Sequence, residues 1–199
     1  MTLSITMLLS RRSLAVLVVA AALGGSAVAA PFPPPPEPAL SQELQDARWP
    51  ADIVSVADRY VASYPTGPSA ASARAELERA RNTKRLLERS DIRLYRGDFL
   101  VRDAAPTLYD DVRKAALADK DAAGRIARMY RDGEGSIQAN PSRYVGWLQY
   151  AAALGNAPAS YELAVYYRKA DQPALAAPYE ARAEELGFRA PTALDNVRK

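Results

Sequence analysis

Gly97 precedes Gly133 by 36 residues, and Ala115-Ala116 precede Ala151-Ala152 by the same interval. A fixed period in this range marks a helical solenoid, because each unit can bury its apolar face only against its neighbours. The pattern is fullest from Ala122 to Gly155, through Ile126-Ala127, Met129-Tyr130, Gly133-Glu134-Gly135, Asn140, Trp147 and Ala151-Ala152. Small, aromatic and glycine residues fall there where two packed helices and a tight turn need them. The expected class of function is partner binding, and the repeat does not name the partner.

The chain reads as helical from Pro50 onward. Ile53, Ala57, Tyr60-Val61 and Tyr64 recur at helical spacing. Pro50 suits a first helical position and Asp52 the first turn. Tyr64-Pro65-Thr66-Gly67-Pro68 stops that helix, and the next spans Ser69 to Arg89 with Ala73, Leu77, Ala80 and Leu87 inward. Leu94-Tyr95-Arg96-Gly97-Asp98-Phe99 reads as a helix end and turn. Asp103 and Pro106 then open a helix whose inward face is Leu108, Val112 and Ala115-Ala116. The spacing predicts a helix from Ala122 to Arg131, a glycine turn, an Asn140-Pro141 start and a helix ending at Gly155. Ala159, Leu163-Ala164 and Tyr167 repeat the first-helix pattern, and Leu175-Ala176, Tyr179, Ala183 and Leu186 the second. Pro178 fits only within the unpaired first turn of a helix starting near Ala174. No stretch alternates with period two for long enough to suggest a strand.

The first 29 residues read as a secretory signal peptide. Arg11-Arg12 is its basic region, Leu14 to Leu23 its apolar region, and Ala27-Val28-Ala29 a small-x-small cleavage site. Cleavage is expected after Ala29 or Ala30. An uncleaved anchor is the alternative, since Leu14 to Ala30 makes 17 residues against the roughly 20 of a membrane span. Ser10-Arg11-Arg12-Ser13-Leu14 also bears a likeness to twin-arginine signals, so the export route stays open. The expected location is periplasmic or secreted, with no stable membrane span after cleavage. Residues 30–40 form a proline-rich linker, in which Pro31 to Pro38 is stiff and extended. A short helix follows from Ser41, with Leu40 and Leu44 able to pack on the body.

Composition removes whole classes of chemistry. The 199 residues hold no Cys and no His, so no thiol or imidazole can act as nucleophile, base or metal ligand. A lipid-modified cysteine anchor and disulfides are excluded for the same reason. Cutting the signal removes Arg11 and Arg12 and no acid, taking the formal charge from +3 to 24 basic against 23 acidic residues, or +1. That balance carries no nucleic-acid signature. Asp110-Asp111 and Glu184-Glu185 are adjacent on helices, so each pair points about 100° apart rather than at one bond. Gly133-Glu134-Gly135 follows a helix and no Lys-Ser/Thr comes next, so it is not a phosphate loop. No catalytic residue, metal or cofactor is expected.

From about Leu86 to Gly187 the sequence resembles the Sel-one-like repeat (SLR) family, relatives of the tetratricopeptide repeats. The family pattern runs, in outline, A-x3-LG-x2-Y-x2-G-x-G-V-x2-D-x3-A-x2-W-x3-AA-x2-G. The central copy supplies Ala122, Ile126-Ala127, Tyr130, Gly133, Gly135, Ile137, Asn140, Tyr144, Trp147, Ala151-Ala152 and Gly155, with one extra residue after Gly135. The upstream copy keeps Leu94-Tyr95, Gly97, Asp103, Leu108 and Ala115-Ala116, with Phe99 in place of the second glycine. The downstream copy keeps Ala159, Leu163-Ala164 and Tyr167 and lacks the glycine turn. Trp49 to Arg89 resembles a tetratricopeptide helix hairpin.

The resemblance implies an all-α fold, a right-handed α-solenoid of antiparallel helix hairpins. It divides the mature chain into a tetratricopeptide-like hairpin over 41–90, SLR-type repeats over 91–190 and a tail over 191–199. It also implies a non-catalytic scaffold for protein–protein interaction in a bacterial envelope, with first helices lining the concave side. Ala122, Tyr130, Gly133, Gly135, Trp147, Ala151, Ala152 and Gly155 are then structural, and binding falls to what flanks the tyrosines. Aligning first helices on Tyr95, Tyr130 and Tyr167 stacks Arg93 with Arg128, and Arg96 with Arg131 and Arg168. Such an arginine ladder, with Tyr166 beside it, suits an acidic protein partner or an anionic glycan such as peptidoglycan or an acidic exopolysaccharide. The alternative is a solvated face whose charge is met by Asp91, Asp98, Asp132 and Glu134.

Overall fold

The computed structural model describes residues 34–100, 106–134 and 137–189. The signal peptide, the start of the linker, Asp103, Gly135 and the tail over 191–199 lie outside the described residues. All regular structure among the described residues is helical, in the order α1 (Glu37–Asp46), α2 (Pro50–Ser63), α3 (Ala70–Leu87), α4 (Arg96–Phe99), α5 (Pro106–Ala116), α6 (Lys120–Asp132), α7 (Pro141–Ala153), α8 (Ala157–Lys169) and α9 (Pro173–Glu185).

The chain enters its first helix earlier than the linker composition implies. α1 starts at Glu37 rather than near Ser41, because Pro38 stands in the first turn, where no helical donor is required. Tyr64 Oη donates to the Pro35 carbonyl at 2.8 Å and Tyr60 Oη donates to the Glu37 carboxylate. The last prolines are therefore fastened to α2 rather than standing clear of it. Leu40 and Leu44 are buried, as their spacing requires.

The upstream copy departs most from expectation. α3 ends at Leu87, and Tyr95 caps a single helical turn instead of closing a first helix. Between them Ile92 N–H bonds the Arg89 carbonyl at 3.2 Å, and the chain then runs extended. Ile92 and Leu94 are buried while Arg93 and Tyr95 are exposed, the two-residue alternation of an extended segment. This strap lies across α7. Arg93 N–H donates to Gln149 Oε1 at 3.0 Å, and a Cβ on Gly146 would stand 2.5 Å from the Arg93 carbonyl oxygen. Only glycine leaves room for that approach.

From α5 onward each helix packs against the next, and α3 reaches α7 across the chain. Starts are capped by side chains. Asp119 accepts from the N–H groups of Asp121 and Ala122, Asn140 from Arg143 and Asn156 from Ala159. Asn156 also donates to the Lys120 carbonyl and to Asp121 Oδ1, tying α8 to the start of α6. α9 starts at Pro173, so Pro178 is its sixth residue and lies past the first turn. It is an interior proline, and the Ala174 carbonyl is left without its helical donor.

One apolar core runs from Leu40 through Leu163, so the three N-terminal helices and the later helices to α8 share it. Its centre is aromatic. Phe99 lies 5.1 Å from Trp49 and 4.9 Å from Trp147, with Tyr150 packed edge-on to both Phe99 and Trp147. Tyr150 Oη donates to the Ala115 carbonyl at 2.6 Å, joining α7 to α5.

Candidate partner-binding surface

The structure separates the repeat residues from the residues proposed for binding. Ala122, Trp147 and Ala151 are fully buried, and Tyr130 and Ala152 nearly so. Gly133 and Gly155 turn the chain at φ +72° and +90°. These positions are occupied by packing and turning; Gly135 lies outside the described residues. The remaining carboxylates are dispersed as well. Asp111 is buried and grips Arg125 through bonds of 2.9 and 2.7 Å, whereas Asp110, Glu184 and Glu185 face solvent. Among the described residues no cluster of His, Cys, Asp or Glu could hold a metal ion. No described helix is long and apolar enough to cross a membrane.

The arginine ladder does not assemble as the alignment implies. Arg93 is on the extended strap and Arg96 on the one-turn α4, so neither stands on a first helix beside Arg128. Arg96 bonds Asp52 of α2 at 2.7 Å. Arg128 and Arg131 are exposed on α6, and Tyr166 and Arg168 on α8. Arg131 takes Asp132 through two bonds of 2.8 and 2.9 Å and reaches Glu162 of α8 at 3.3 Å. Its guanidinium, through those hydrogen bonds, holds the Asp132 carboxyl below the usual range. Arg168 is bidentate to Glu180 of α9 and lowers that carboxyl in the same way. Three of the five arginines thus carry a bonded carboxylate, and of the acids expected to meet them only Asp132 does. Asp91 binds Arg89 instead, and Asp98 binds Arg143.

What α6 and α8 do share is a mixed face. Tyr144 Oη donates to Glu162 at 3.2 Å, beside the Arg131 contact. Burial, with Glu162 adding to it, raises the Tyr144 phenol to about 12. Arg128 enters none of the ion pairs among the described residues, and Tyr166 is 38% exposed next to its edge-on neighbour Tyr167. Of the six proposed binding residues, Arg128, Arg131, Tyr166 and Arg168 lie on this pair of helices.

No family model matches this chain, and no curated protein or solved structure matches it. Function therefore rests on the residues themselves.

A second surface escaped the sequence reading. A groove of about 500 Å³ opens between α7, α9 and the turn after α3, with Ala152, Ala153, Leu175, Pro178 and Tyr179 as its apolar lining. Arg89, Asp91 and Arg182 also line it. Tyr179 stacks on Tyr167 at 5.8 Å, and burial raises its phenol to about 12. The nearest sequence signal is Leu175, an aliphatic residue that the second-helix pattern assigned inward and that is half exposed.

Proposed function

We propose that this protein is an exported helical-repeat scaffold of SLR type, a right-handed solenoid that binds a protein partner through the face of its first helices. The observation that carries the reading is the division of labour around the best repeat copy. Its aromatic, alanine and glycine residues are committed to packing, while arginine and tyrosine side chains are exposed on α6 and α8, two helices linked by Arg131 and Glu162. Large polar-tipped aromatics and arginine are the residue types that concentrate binding energy in protein interfaces. The leader-like N-terminal sequence supports a location in the bacterial periplasm or outside the cell, after cleavage near Ala29. The polymer-binding alternative finds less support, because Arg96, Arg131 and Arg168 already hold carboxylates.

Capture from an envelope extract, at low and high salt, tests this. A stoichiometric protein band that survives moderate salt supports the scaffold. Salt-labile retention of peptidoglycan or polysaccharide, with no protein band, would replace it by the polymer reading.

A further inference from the structure

We infer that the groove between α7 and α9 docks an extended partner segment that sets an aliphatic side chain beside an acidic one. Three features of the groove converge on that chemistry. Its lining is apolar and includes Leu175, which is 50% exposed and has no apolar cover on its outer side among the described residues. A volume of about 500 Å³ lies within the range of sites that take a compact ligand or a few side chains.

Its charge is the second feature. Two guanidiniums and one carboxylate line the groove, an excess of one positive charge. Arg89 is chelated by Asp91 at 2.9 and 2.7 Å, so the uncommitted charge belongs to Arg182. Among the described residues Arg182 pairs only with Glu185, three residues on, at 3.2 Å, and the two side chains are 47% and 65% exposed. Such a pair contributes little, and a ligand carboxylate held against the apolar lining can displace it.

The third feature is backbone. Pro178 lines the groove and, as a proline, presents no backbone N–H there, so this wall sets no donor against a ligand carboxylate or aliphatic chain. Gln149 does not compete for the ligand, since its amide already accepts from Arg93 N–H and donates to Tyr167 Oη at 3.0 Å each.

This surface is built on second helices, apart from the α6 and α8 face. Fluorescence anisotropy with the full chain tests it, using an end-blocked, labelled peptide in which leucine and glutamate stand two residues apart, with serine between them so that both share one face, and its lysine counterpart. Saturable binding of the glutamate peptide is expected, with the lysine peptide at least tenfold weaker. Arg182→Glu and Leu175→Asp each weaken binding at least tenfold, and Arg79→Glu on the exposed side of α3 leaves it unchanged. Both groove positions are exposed, and circular dichroism melts confirm that the variants fold. Absence of saturable binding, equal affinity for the two peptides, or indifference to both groove substitutions overturns the inference. A chain ended after Arg189 that gains binding the full chain lacks would assign the groove to residues 190–199, and overturns it too. None of these outcomes bears on the first-helix face, which the envelope capture tests separately.

Discussion

Each of the last five helices closes through a left-handed residue. The N–H of the residue that follows it returns to a carbonyl five residues back, from Asp119 to Lys114, Glu134 to Met129, Asn156 to Ala151, Gln172 to Tyr167 and Phe188 to Ala183. Glycine fills the left-handed position three times, but Ala118 holds it at φ +68° and Asp171 at +55°. A left-handed alanine costs about 1–2 kcal/mol, partly offset because glycine gains entropy when unfolded. Ala118→Gly is therefore expected to raise stability by roughly 0.5–1 kcal/mol in urea melts. Tyrosines set the alkaline limit. Tyr144 and Tyr179 are both raised from 10 to about 12, chiefly by burial, so the folded chain keeps phenols neutral that the unfolded chain ionises. Their contribution is complete below pH 10 and is lost as pH rises from 10 through about 12. Melting temperature should fall across that window while absorbance at 295 nm reports late-titrating phenols; a flat melting temperature would contradict it. Phe99 shows how a residue can mislead. It replaced a turn glycine in the repeat pattern, and its fully buried ring joins Trp49 to Trp147. A local alignment cannot register that long-range contact.

At the scale of elements, periodicity located α2, α3 and α5 to α9 well, because each buries one helical stripe. It failed between α3 and α4. Ile92 to Tyr95 is too short for alternation to stand out, and its extended form depends on α7, which follows about 50 residues later. Gly146 and Gln149 are that dependence in side-chain terms, one giving space and the other accepting the Arg93 N–H. Gly146→Ala should lower stability by about 1–3 kcal/mol, since its new methyl meets backbone rather than a movable side chain. Amide exchange should show the strap released before the helices. α9 carries the opposite defect. Pro178→Ala restores the bond to the Ala174 carbonyl and should stabilise the chain by roughly 1–3 kcal/mol in thermal or urea melts. An unchanged or lower stability would mean that the proline ring's packing outweighs the missing bond.

Across the whole molecule, the helical class was legible in the sequence and the binding surface only in part. Spacing from tyrosine identified Arg128, Arg131 and Arg168 as exposed, because the chain is helical around Tyr130 and Tyr167. It misplaced Arg93 and Arg96, since the same register was extended through a segment that is not helical. It could not show which charges are already met, because Asp52 and Glu162 reach their arginines from 44 and 31 residues away. The groove was equally hidden, being shaped by a turn, a helix interior and a misfit proline. Partner binding on α6 and α8 is the function proposed for this protein. The direct measurement is quantitative capture from envelope extract by the unmodified chain and by an Arg128→Glu, Tyr166→Ala variant, with Ala118→Gly as a folded control. The double variant is expected to lose roughly nine-tenths or more of the captured partner, in line with the loss of two interface anchors, while the control retains it. Undiminished capture by the double variant would contradict it.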